Sequence, residues 1–281
     1  MMQYSYDVAV AWRIYPGVSK VPLIYPQDKW QLVRTCLLSF MQATGELRIR
    51  YYFILDGCPP AYRELIESLL PGPCTTILET PAMGNLATFR KQVELLTTQE
   101  DAPLVYFAED DYLYRPGALA LMVQLLRQET DVDFVSCYLH ADTLSHPIHR
   151  HPRRRKSACG HRWFTDSSTC LTFLASREKL IATKDIFLSY SRGNNDCALW
   201  LVLTKTHIRN PLAYLRFMLQ HQESFGILKM AVKYTFRYFF TGRRYSLWIP
   251  DPALGTHLEK GLVSPGIDWL ALSREVEERA S

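Results

Sequence analysis

The chain has 281 residues, of which 48% are hydrophobic, and its formal net charge is +4. This length allows one large core, or a core with an appended subdomain. The small net charge gives no argument for nucleic acid binding, and none of the cysteines forms a CxxC pair typical of zinc sites. The sequence shows no N-terminal signal and no run of about 18 apolar residues. We therefore expect a cytoplasmic protein that could also lie at the inner face of the membrane.

The first half of the chain alternates between strand and helix patterns. Such alternation predicts an α/β fold with a mixed, mainly parallel sheet flanked by helices. Strands are predicted at 8–14, 50–55, 75–78, 104–108 and 132–139, and helices at 29–42, 60–70, 86–96 and 116–127.

Three carboxylates directly follow the apolar strand predicted at 104–108. Glu109, Asp110 and Asp111 would repel one another there unless a cation or a proton offset their charge. Carboxylate oxygens suit Mg²⁺ or Mn²⁺, and these ions often bridge to substrate phosphates. Asp56 also ends a strand, and ligands of such sheets bind beyond the carboxyl ends of the strands. The pattern predicts a metal that holds a diphosphate-bearing substrate, although a solvated acidic turn is the plainer alternative.

The second half of the chain is less regular. The polar, basic stretch 140–162 is predicted to be a loop, followed by a strand at 168–174 and a helix from Ser176. Another helix is predicted at 194–204. Residues 211–240 are rich in aromatic, aliphatic and basic side chains, which predicts a helical region.

Together these features resemble the nucleotide-sugar domain of GT-A glycosyltransferases, and family 2-like enzymes in particular. The resemblance rests on a strand ending in Asp56, the turn Gly84-Asn85 before a helix with Arg90, and the strand ending in Glu-Asp-Asp. It covers about residues 6–204, with one further element near 257. The family's acidic motif is usually DxD, so Glu109 is a departure that keeps the charge. The resemblance implies a Rossmann-like GT-A sheet, a nucleotide-diphosphate sugar donor and a Mn²⁺ or Mg²⁺ cofactor.

The same resemblance assigns roles to individual residues. Asp111 would ligate the metal, together with Glu109 and with His257 from late in the chain. Asp196, in the stretch Arg-Gly-Asn-Asn-Asp, would be the catalytic base. The residues implied at the donor nucleotide-sugar are Ala11, Trp12, Arg13, Asp56, Gly84, Asn85, Arg90 and Asp110.

Each of these residues also has a structural alternative. Asp56 could form a turn with Gly57, and Asp196 could cap a helix, for which Asp is well suited. A lone histidine such as His257 is more often structural than a ligand, and Arg90 could be an ordinary solvated charge. The resemblance also divides the chain into three segments. Residues 1–204 would bind the donor and the acceptor, residues 205–248 would form a helical, basic and aromatic region, and residues 249–281 would form a tail that returns to the active site.

Two further features bear on the acceptor. The basic loop at 149–156 could contact an anionic acceptor, such as a lipid-linked diphosphate, and Trp163 and Phe164 after it could line an acceptor pocket. Lys229 and Lys233 belong to a basic stripe on an otherwise apolar helix at 226–240. Such a helix could rest on an anionic membrane surface or could simply pack on the core.

The sequence therefore predicts a metal-dependent glycosyltransferase that acts on a hydroxyl of a glycan or glycolipid and inverts the anomeric centre. Nucleic acid is not among the expected partners. One alternative is a nucleotidyltransferase that makes nucleotide-sugars, but residues 12–18 contain a single glycine where a glycine-rich phosphate loop is expected. The other alternative is a non-catalytic membrane-surface or glycan-binding protein with a relict site.

Overall fold

A computed structural model describes residues 4–18, 20–220 and 222–280 of the chain. Its strands are β1 (Val8–Ile14), β2 (Ile49–Asp56), β3 (Thr75–Thr80), β4 (Leu104–Glu109), β5 (Tyr112–Tyr114), β6 (Phe134–Val135), β7 (Arg155–Ala158), β8 (His161–Asp166), β9 (Leu174–Ser176), β10 (Leu247–Asp251) and β11 (Gly255–His257). Its α-helices are α1 (Lys29–Ala43), α2 (Pro60–Leu69), α3 (Asn85–Thr98), α4 (Ala118–Gln128), α5 (Arg177–Leu188), α6 (Asp196–Thr204), α7 (Pro211–Gln220), α8 (Gln222–Phe240) and α9 (Trp269–Ala280).

Among the described residues, one sheet has nine strands in the order β3-β2-β1-β4-β9-β6-β10-β8-β7. The strands β3, β2, β1 and β4 are parallel neighbours. Both β9 and β8 run against their neighbours, whereas β6 and β10 are again parallel to each other. The predicted mixed, mainly parallel α/β sheet is therefore confirmed, and the predicted elements up to α4 agree with it to within a few residues.

Hydrophobic cores cover both faces of this sheet. On β1, Val8 and Val10 enter one core, which they share with α1, α2, α4 and α9. The alternate residues Ala9 and Ala11 enter the other core, with α3, α5, α6 and α8. Because strand side chains alternate between faces, a strand covered on both sides must be apolar throughout, as the first strands here are. The result is a sheet between two helical layers.

Three expectations for the chain after α4 were wrong. The strand predicted at 132–139 ends at Val135, because Cys137 and Tyr138 leave the sheet to bond with the 254–255 segment. The strand predicted at 168–174 begins only at Leu174. The loop predicted at 140–162 contains β7 and the start of β8, which form a hairpin. Its turn residues, Cys159 and Gly160, both have positive φ, as a tight two-residue hairpin turn requires.

The first four strands end at the same edge of the sheet, as parallel neighbours must. Arg13 of β1 is level with Glu109 of β4, and Asp56 ends β2 beside them. Just beyond this edge, β5 pairs with β11, which places His257 opposite Tyr112. Strand β10, at the junction of the predicted 205–248 and 249–281 segments, lies inside the main sheet. The tail thus reaches the edge where the acidic residues lie.

Helix α8 packs against α6 and α7, and both α7 and α8 contribute side chains to the second core. Ile227, Leu228 and Ala231 of α8 are buried, whereas Lys229 and Lys233 are exposed. The predicted helix at 226–240 is therefore confirmed, with its basic stripe at the surface. Within the described ranges, no helix combines the length and the apolar character needed to cross a bilayer.

Candidate active site

Glu109 is held by cationic and hydroxyl donors at the end of β4. Because Arg13 is level with it on the next strand, the Arg13 guanidinium forms an ion pair with Glu109 and also donates to Asn85. The second carboxylate oxygen of Glu109 accepts a hydrogen bond from Thr172 Oγ1 at 2.8 Å. The Asn85 amide donates to the Tyr190 hydroxyl at 3.0 Å. Arg13, Asn85 and Glu109 thus form one polar network at the sheet edge.

Asp110 points away from that network and into the protein. It is buried, with the Lys29 ammonium 2.6 Å from one oxygen and the backbone N–H of Tyr15 2.8 Å from the other. Burial lowers the pKa of Lys29, but the charges of Asp110 and Asp111 outweigh it and raise that pKa overall. Asp110 therefore ties the chain after β1 to the start of α1. The structure gives it internal partners where the resemblance implied contact with the donor.

Asp111 meets a histidine 146 residues further along the chain. One of its oxygens, Oδ2, lies 3.0 Å from His257 Nε2, and the other, Oδ1, is buried without a hydrogen-bond partner. Burial raises the pKa of Asp111, but the hydrogen bond and charge of His257 outweigh burial and lower it overall. Burial likewise lowers the pKa of His257, while Asp111 raises it overall. The Tyr112 ring stacks on the imidazole with centroids 5.2 Å apart.

The Asp111–His257 pair offers a carboxylate and an imidazole to Mn²⁺ or Mg²⁺. An unpartnered buried carboxylate oxygen is costly unless something binds it, and a cation would satisfy it. No group of three or more His, Cys, Asp or Glu residues suited to a metal is found in the described part of the chain. These ions, however, usually keep several waters and take other oxygens from substrate phosphates. An aspartate and a histidine completed by a diphosphate therefore fit such an ion.

Asp56 organises the turn between β3 and α3. Its Oδ1 accepts hydrogen bonds from Met83 N at 2.6 Å and Thr80 Oγ1 at 2.8 Å, and its Oδ2 accepts one from Gly84 N at 2.8 Å. Gly84 has a φ of +84°, a conformation that suits glycine. The carboxylate thus fixes the backbone just before Asn85, which bonds Arg13. Its contact with a nucleobase stays a prediction.

Asp196 is the first residue of α6, and its neighbour Asn195 caps the helix. The Asn195 side chain accepts a hydrogen bond from Ala198 N at 2.7 Å, so the cap does not need Asp196. Asp196 Oδ1 accepts from Cys197 N at 2.8 Å. Burial raises the pKa of Asp196, and the negative charge of Glu109 raises it further. A carboxylate with a raised pKa is a stronger base once it is deprotonated, which suits removal of a proton from a hydroxyl.

Two expectations about donor-site residues need correction. Ala11 and Trp12 lie three and two residues before the end of β1 and are fully buried on opposite faces of the sheet. The Trp12 ring packs edge-on against Phe40 with centroids 5.0 Å apart, so its side chain does not line a surface pocket. Arg90 is exposed on α3 and pairs with Glu94 at 2.8 Å, one turn along the same helix. The arginine that contacts the acids is Arg13.

Trp163 and Phe164 lie on opposite faces of β8. Trp163 is buried, and its indole N–H donates to the backbone of Ala158 at 3.1 Å. Phe164 is also largely buried, with the Arg153 guanidinium 4.8 Å above its ring. Both residues border a cleft of about 630 Å³ beside the active site. Their contact with an acceptor stays a prediction.

Sequence reasoning did not identify Lys29, Thr172 or Tyr190 as parts of this site. Lys29 carries the only charge at the start of α1, and it would have been a reasonable partner for the acids. Thr172 and Tyr190 lie in segments with no motif that marks them. They reach Glu109 and Asn85 only because β9 and α5 return to the edge where β4 ends.

Comparisons with known proteins are distant. No family profile matches the chain, and no curated protein matches its sequence. Similar solved structures include the galactosyltransferase LgtC with donor and acceptor sugar analogues, at 13% identity and a TM-score of 0.46, over 97% of this chain and 95% of that chain. The mannosyltransferase PcManGT from Pyrobaculum calidifontis, with GDP-Man and Mn²⁺, has 14% identity and a TM-score of 0.35 over 48% of this chain and 36% of its own.

A cytidylyltransferase from Leptospira borgpetersenii serovar Hardjo-bovis is also similar, at 10% identity and a TM-score of 0.36, over 65% of this chain and 64% of its own. The chain thus spans less than two thirds of the mannosyltransferase and of the cytidylyltransferase. At these identities and TM-scores, none of the likenesses identifies the substrate or the reaction of this protein.

Proposed function

We propose that the protein is a metal-dependent glycosyltransferase of the GT-A kind. It would transfer a sugar from a nucleotide-diphosphate sugar to a hydroxyl of a glycan or glycolipid, with inversion. The observation that carries this proposal is the unpartnered buried oxygen of Asp111 beside His257. That oxygen lies at the carboxyl ends of parallel strands, where ligands of α/β sheets bind. The Arg13–Glu109 network and the base candidate Asp196 belong to the same region.

In this proposal Asp111 and His257 would hold Mn²⁺ or Mg²⁺. Such an ion offsets negative charge that develops on the leaving diphosphate. Arg13 is positioned by Glu109 and Asn85, so its guanidinium is held at the mouth of the site. Asp196 takes the proton from the acceptor hydroxyl as the acceptor oxygen bonds to the anomeric carbon. The bond from that carbon to the diphosphate oxygen breaks, and a nucleoside diphosphate leaves with the bonding electrons.

The nucleotidyltransferase alternative is less well supported by the segment after β1. Phosphate loops of that class bring several backbone N–H groups together at glycines. Here a Cβ atom on Gly17 would come within 2.4 Å of the Tyr15 ring, so this glycine makes room for an aromatic side chain. The backbone N–H of Tyr15 is already bonded to Asp110. A non-catalytic protein with a relict site would show no hydrolysis of a nucleotide-sugar in the presence of Mn²⁺.

A thermal-shift titration tests the proposal directly. UDP and GDP are added with and without Mn²⁺, since a ligand that binds the native state raises its apparent stability. We expect a rise in Tm for one nucleotide only when Mn²⁺ is present, and slow hydrolysis of the matching nucleotide-sugar. Asp196→Asn should keep this shift yet lose about 10²- to 10⁴-fold in hydrolysis, the range for a general base. Absence of any Mn²⁺-dependent shift in the wild type would refute the assignment.

We also propose that α7 and α8 rest on an anionic membrane surface. Residues 205–244 carry eight Lys or Arg against one acid. On α8, Phe236 and Phe240 are 63% and 69% exposed, next to the exposed cations Lys233 and Arg237. Exposed aromatic and basic side chains on one helix suit a headgroup region with anionic lipid. This contact would keep a cytoplasmic enzyme near a glycolipid acceptor.

Co-sedimentation with vesicles tests the membrane contact. We expect binding to vesicles that contain phosphatidylglycerol, and little binding to pure phosphatidylcholine. The variant Lys233→Gln/Arg237→Gln should bind the anionic vesicles about 30-fold more weakly, because two cations at about 1 kcal/mol each contribute about 2 kcal/mol. Equal sedimentation of the wild type with both vesicles and without vesicles would rule the contact out.

A further inference from the structure

A basic cleft lies on the exposed face of the β7–β8 hairpin. It has a volume of about 630 Å³, and the residues that matter here are His140, Thr143, Arg155, Arg162, Phe164 and Pro265. In the hairpin, Arg155 is opposite Phe164, and Ser157 is opposite Arg162. Because directly opposed residues share a face and alternate residues return to it, these four side chains lie on one side of the hairpin.

Three cations of the basic stretch 149–156 are already paired with carboxylates, and the Arg150 guanidinium donates to the Ser145 backbone oxygen. Arg153 donates to Asp166 at 3.3 Å, Arg154 lies 2.9 Å from Asp131, and Lys156 lies 2.8 Å from Glu129. These ion pairs hold the hairpin to neighbouring segments, so they leave little positive charge for a ligand.

Arg155 and Arg162 are different. Arg155 is exposed, and no ion pair or side-chain hydrogen bond is found for it within the part of the chain that the structure describes. Arg162 is 70% exposed, and its carboxylate partner, Asp251, lies at a loose 3.6 Å. Two guanidinium groups with spare donors therefore face the same cleft. Guanidinium groups bind phosphate and carboxylate with two parallel hydrogen bonds, which favours anions of this shape.

The basic cleft and the candidate active site share Tyr138 as a neighbour. The Tyr138 ring lies 6.5 Å from the His257 ring on one side and 5.1 Å from the His140 ring on the other, centroid to centroid. His140 lines the cleft, and a positive charge on its ring would lower the pKa of the Asp196 carboxylate. On the opposite rim, Pro265 follows Ser264, whose N–H bonds Thr256 Oγ1 at 2.8 Å, next to His257. One molecule could thus occupy the cleft and present a hydroxyl to Asp196.

We propose that the acceptor carries an anionic group, phosphate or carboxylate, which Arg155 and Arg162 bind in the basic cleft. The two arginines would be specificity-determining residues, since they select a charged acceptor over a neutral one of the same shape. This proposal rests on the proposed glycosyltransferase function, because that function makes the neighbouring cleft an acceptor site. The aromatic floor at Phe164 would support the body of the acceptor beside its charged group.

Direct titration tests the cleft without any turnover. The wild type is titrated by calorimetry with inorganic phosphate, glucuronate and neutral glucose, with the nucleotide and Mn²⁺ present so that the donor site is filled. We expect heat from phosphate or glucuronate and none from glucose. Phosphate alone would indicate a phosphorylated acceptor, and glucuronate alone an acidic sugar. The double variant Arg155→Gln/Arg162→Gln should bind the anion at least about tenfold more weakly.

A matched control removes two other exposed arginines. Arg48→Gln/Arg274→Gln makes the same change in net charge, with Arg48 at the opposite edge of the sheet, and should leave anion binding unchanged. No anion binding by the wild type at millimolar concentration would overturn the proposal, as would binding that persists in the Arg155→Gln/Arg162→Gln variant. That variant should keep the Mn²⁺-dependent nucleotide shift. Absence of that shift in the wild type would count against the proposed function. The presence or absence of anion binding tests the acceptor-binding role of the cleft.

Discussion

Asp111 and Asp166 both have histidine partners, but they differ in what binds their remaining oxygens. Asp166, at the end of β8, accepts from His149 Nδ1 at 2.7 Å, His151 Nε2 at 3.2 Å and the N–H of Ser167 at 2.7 Å on one oxygen. Arg153 lies 3.3 Å from its other oxygen. Asp111 has His257 on one oxygen and no partner on the other.

Asp166 therefore has a structural role, whereas Asp111 can bind a ligand. Both oxygens of Asp166 have hydrogen-bond partners within the chain, so Asp166 clamps the 146–153 segment onto the sheet without any ligand. One buried oxygen of Asp111 has no hydrogen-bond partner, and such an oxygen is rare unless a ligand binds it. An aspartate and a histidine in contact do not by themselves indicate a metal site. The feature that indicates a metal site is a buried carboxylate oxygen without a partner, as in Asp111.

The largest effect is expected for Asp166→Asn. This change removes the anion that offsets His149 and Arg153, and breaking a buried ion pair from one side costs about 3–5 kcal/mol. Urea unfolding followed by circular dichroism should show a loss of that size. The Mn²⁺-dependent nucleotide shift should persist in the folded variant. A stability within about 1 kcal/mol of the wild type would show that the clamp is not important.

The converse is expected for Asp111→Asn. Metal-dependent hydrolysis of the donor should fall by about a hundredfold or more, since loss of even an outer-shell partner of a metal ligand costs about 10- to 100-fold. The free energy of unfolding should fall by no more than about 1.5–3 kcal/mol, the typical worth of one hydrogen bond to a charged group, which is less than the loss expected for Asp166→Asn. Asp185→Asn, on the exposed face of α5, is the matched control and should leave hydrolysis unchanged. Full Mn²⁺-dependent activity in Asp111→Asn would contradict the site.

The smallest effect is a pH dependence of stability from the clamp. Burial lowers the pKa of His149, but Asp142 and Asp166 outweigh burial and raise it from 6.5 to about 9. A group with a raised folded-state pKa stabilises fully below its unfolded pKa and loses this contribution as pH rises through the folded value. Stability should thus fall by about 2 kcal/mol between pH 7 and 9. The charged or titratable neighbours that face His149 among the described residues are Asp142, His146, His151, Arg153, Asp166 and His207.

The variant His149→Gln checks this origin. It keeps a hydrogen-bond donor but cannot be charged, so its stability should be nearly flat over the same pH range. Chemical denaturation at several pH values measures the slope for both proteins. A wild-type slope that survives in His149→Gln would assign the pH dependence to another group.

The first half of the fold could be read from the sequence because its signals are local. Continuous apolar runs such as those of β1 and β4 are typical of parallel strands covered on both faces, and these strands were predicted to within a residue. The second half depends on long-range pairing instead. The β7–β8 hairpin turns at Cys159-Gly160, which lacks the usual Asn-Gly signal, and β9 and β10 are placed by partners far away in the chain.

The sequence by itself determined the α/β class, the strand that ends in three acids, and the chemistry that such acids favour. It could not show which acid keeps a free oxygen, because that depends on what surrounds each one. Only the tertiary structure paired Asp110 with Lys29 and Glu109 with Arg13, and left one oxygen of Asp111 without a partner beside His257. Those pairings arise where the edge of the sheet meets α1, β1 and β11. Contacts between residues so distant in the chain leave no local pattern in the sequence.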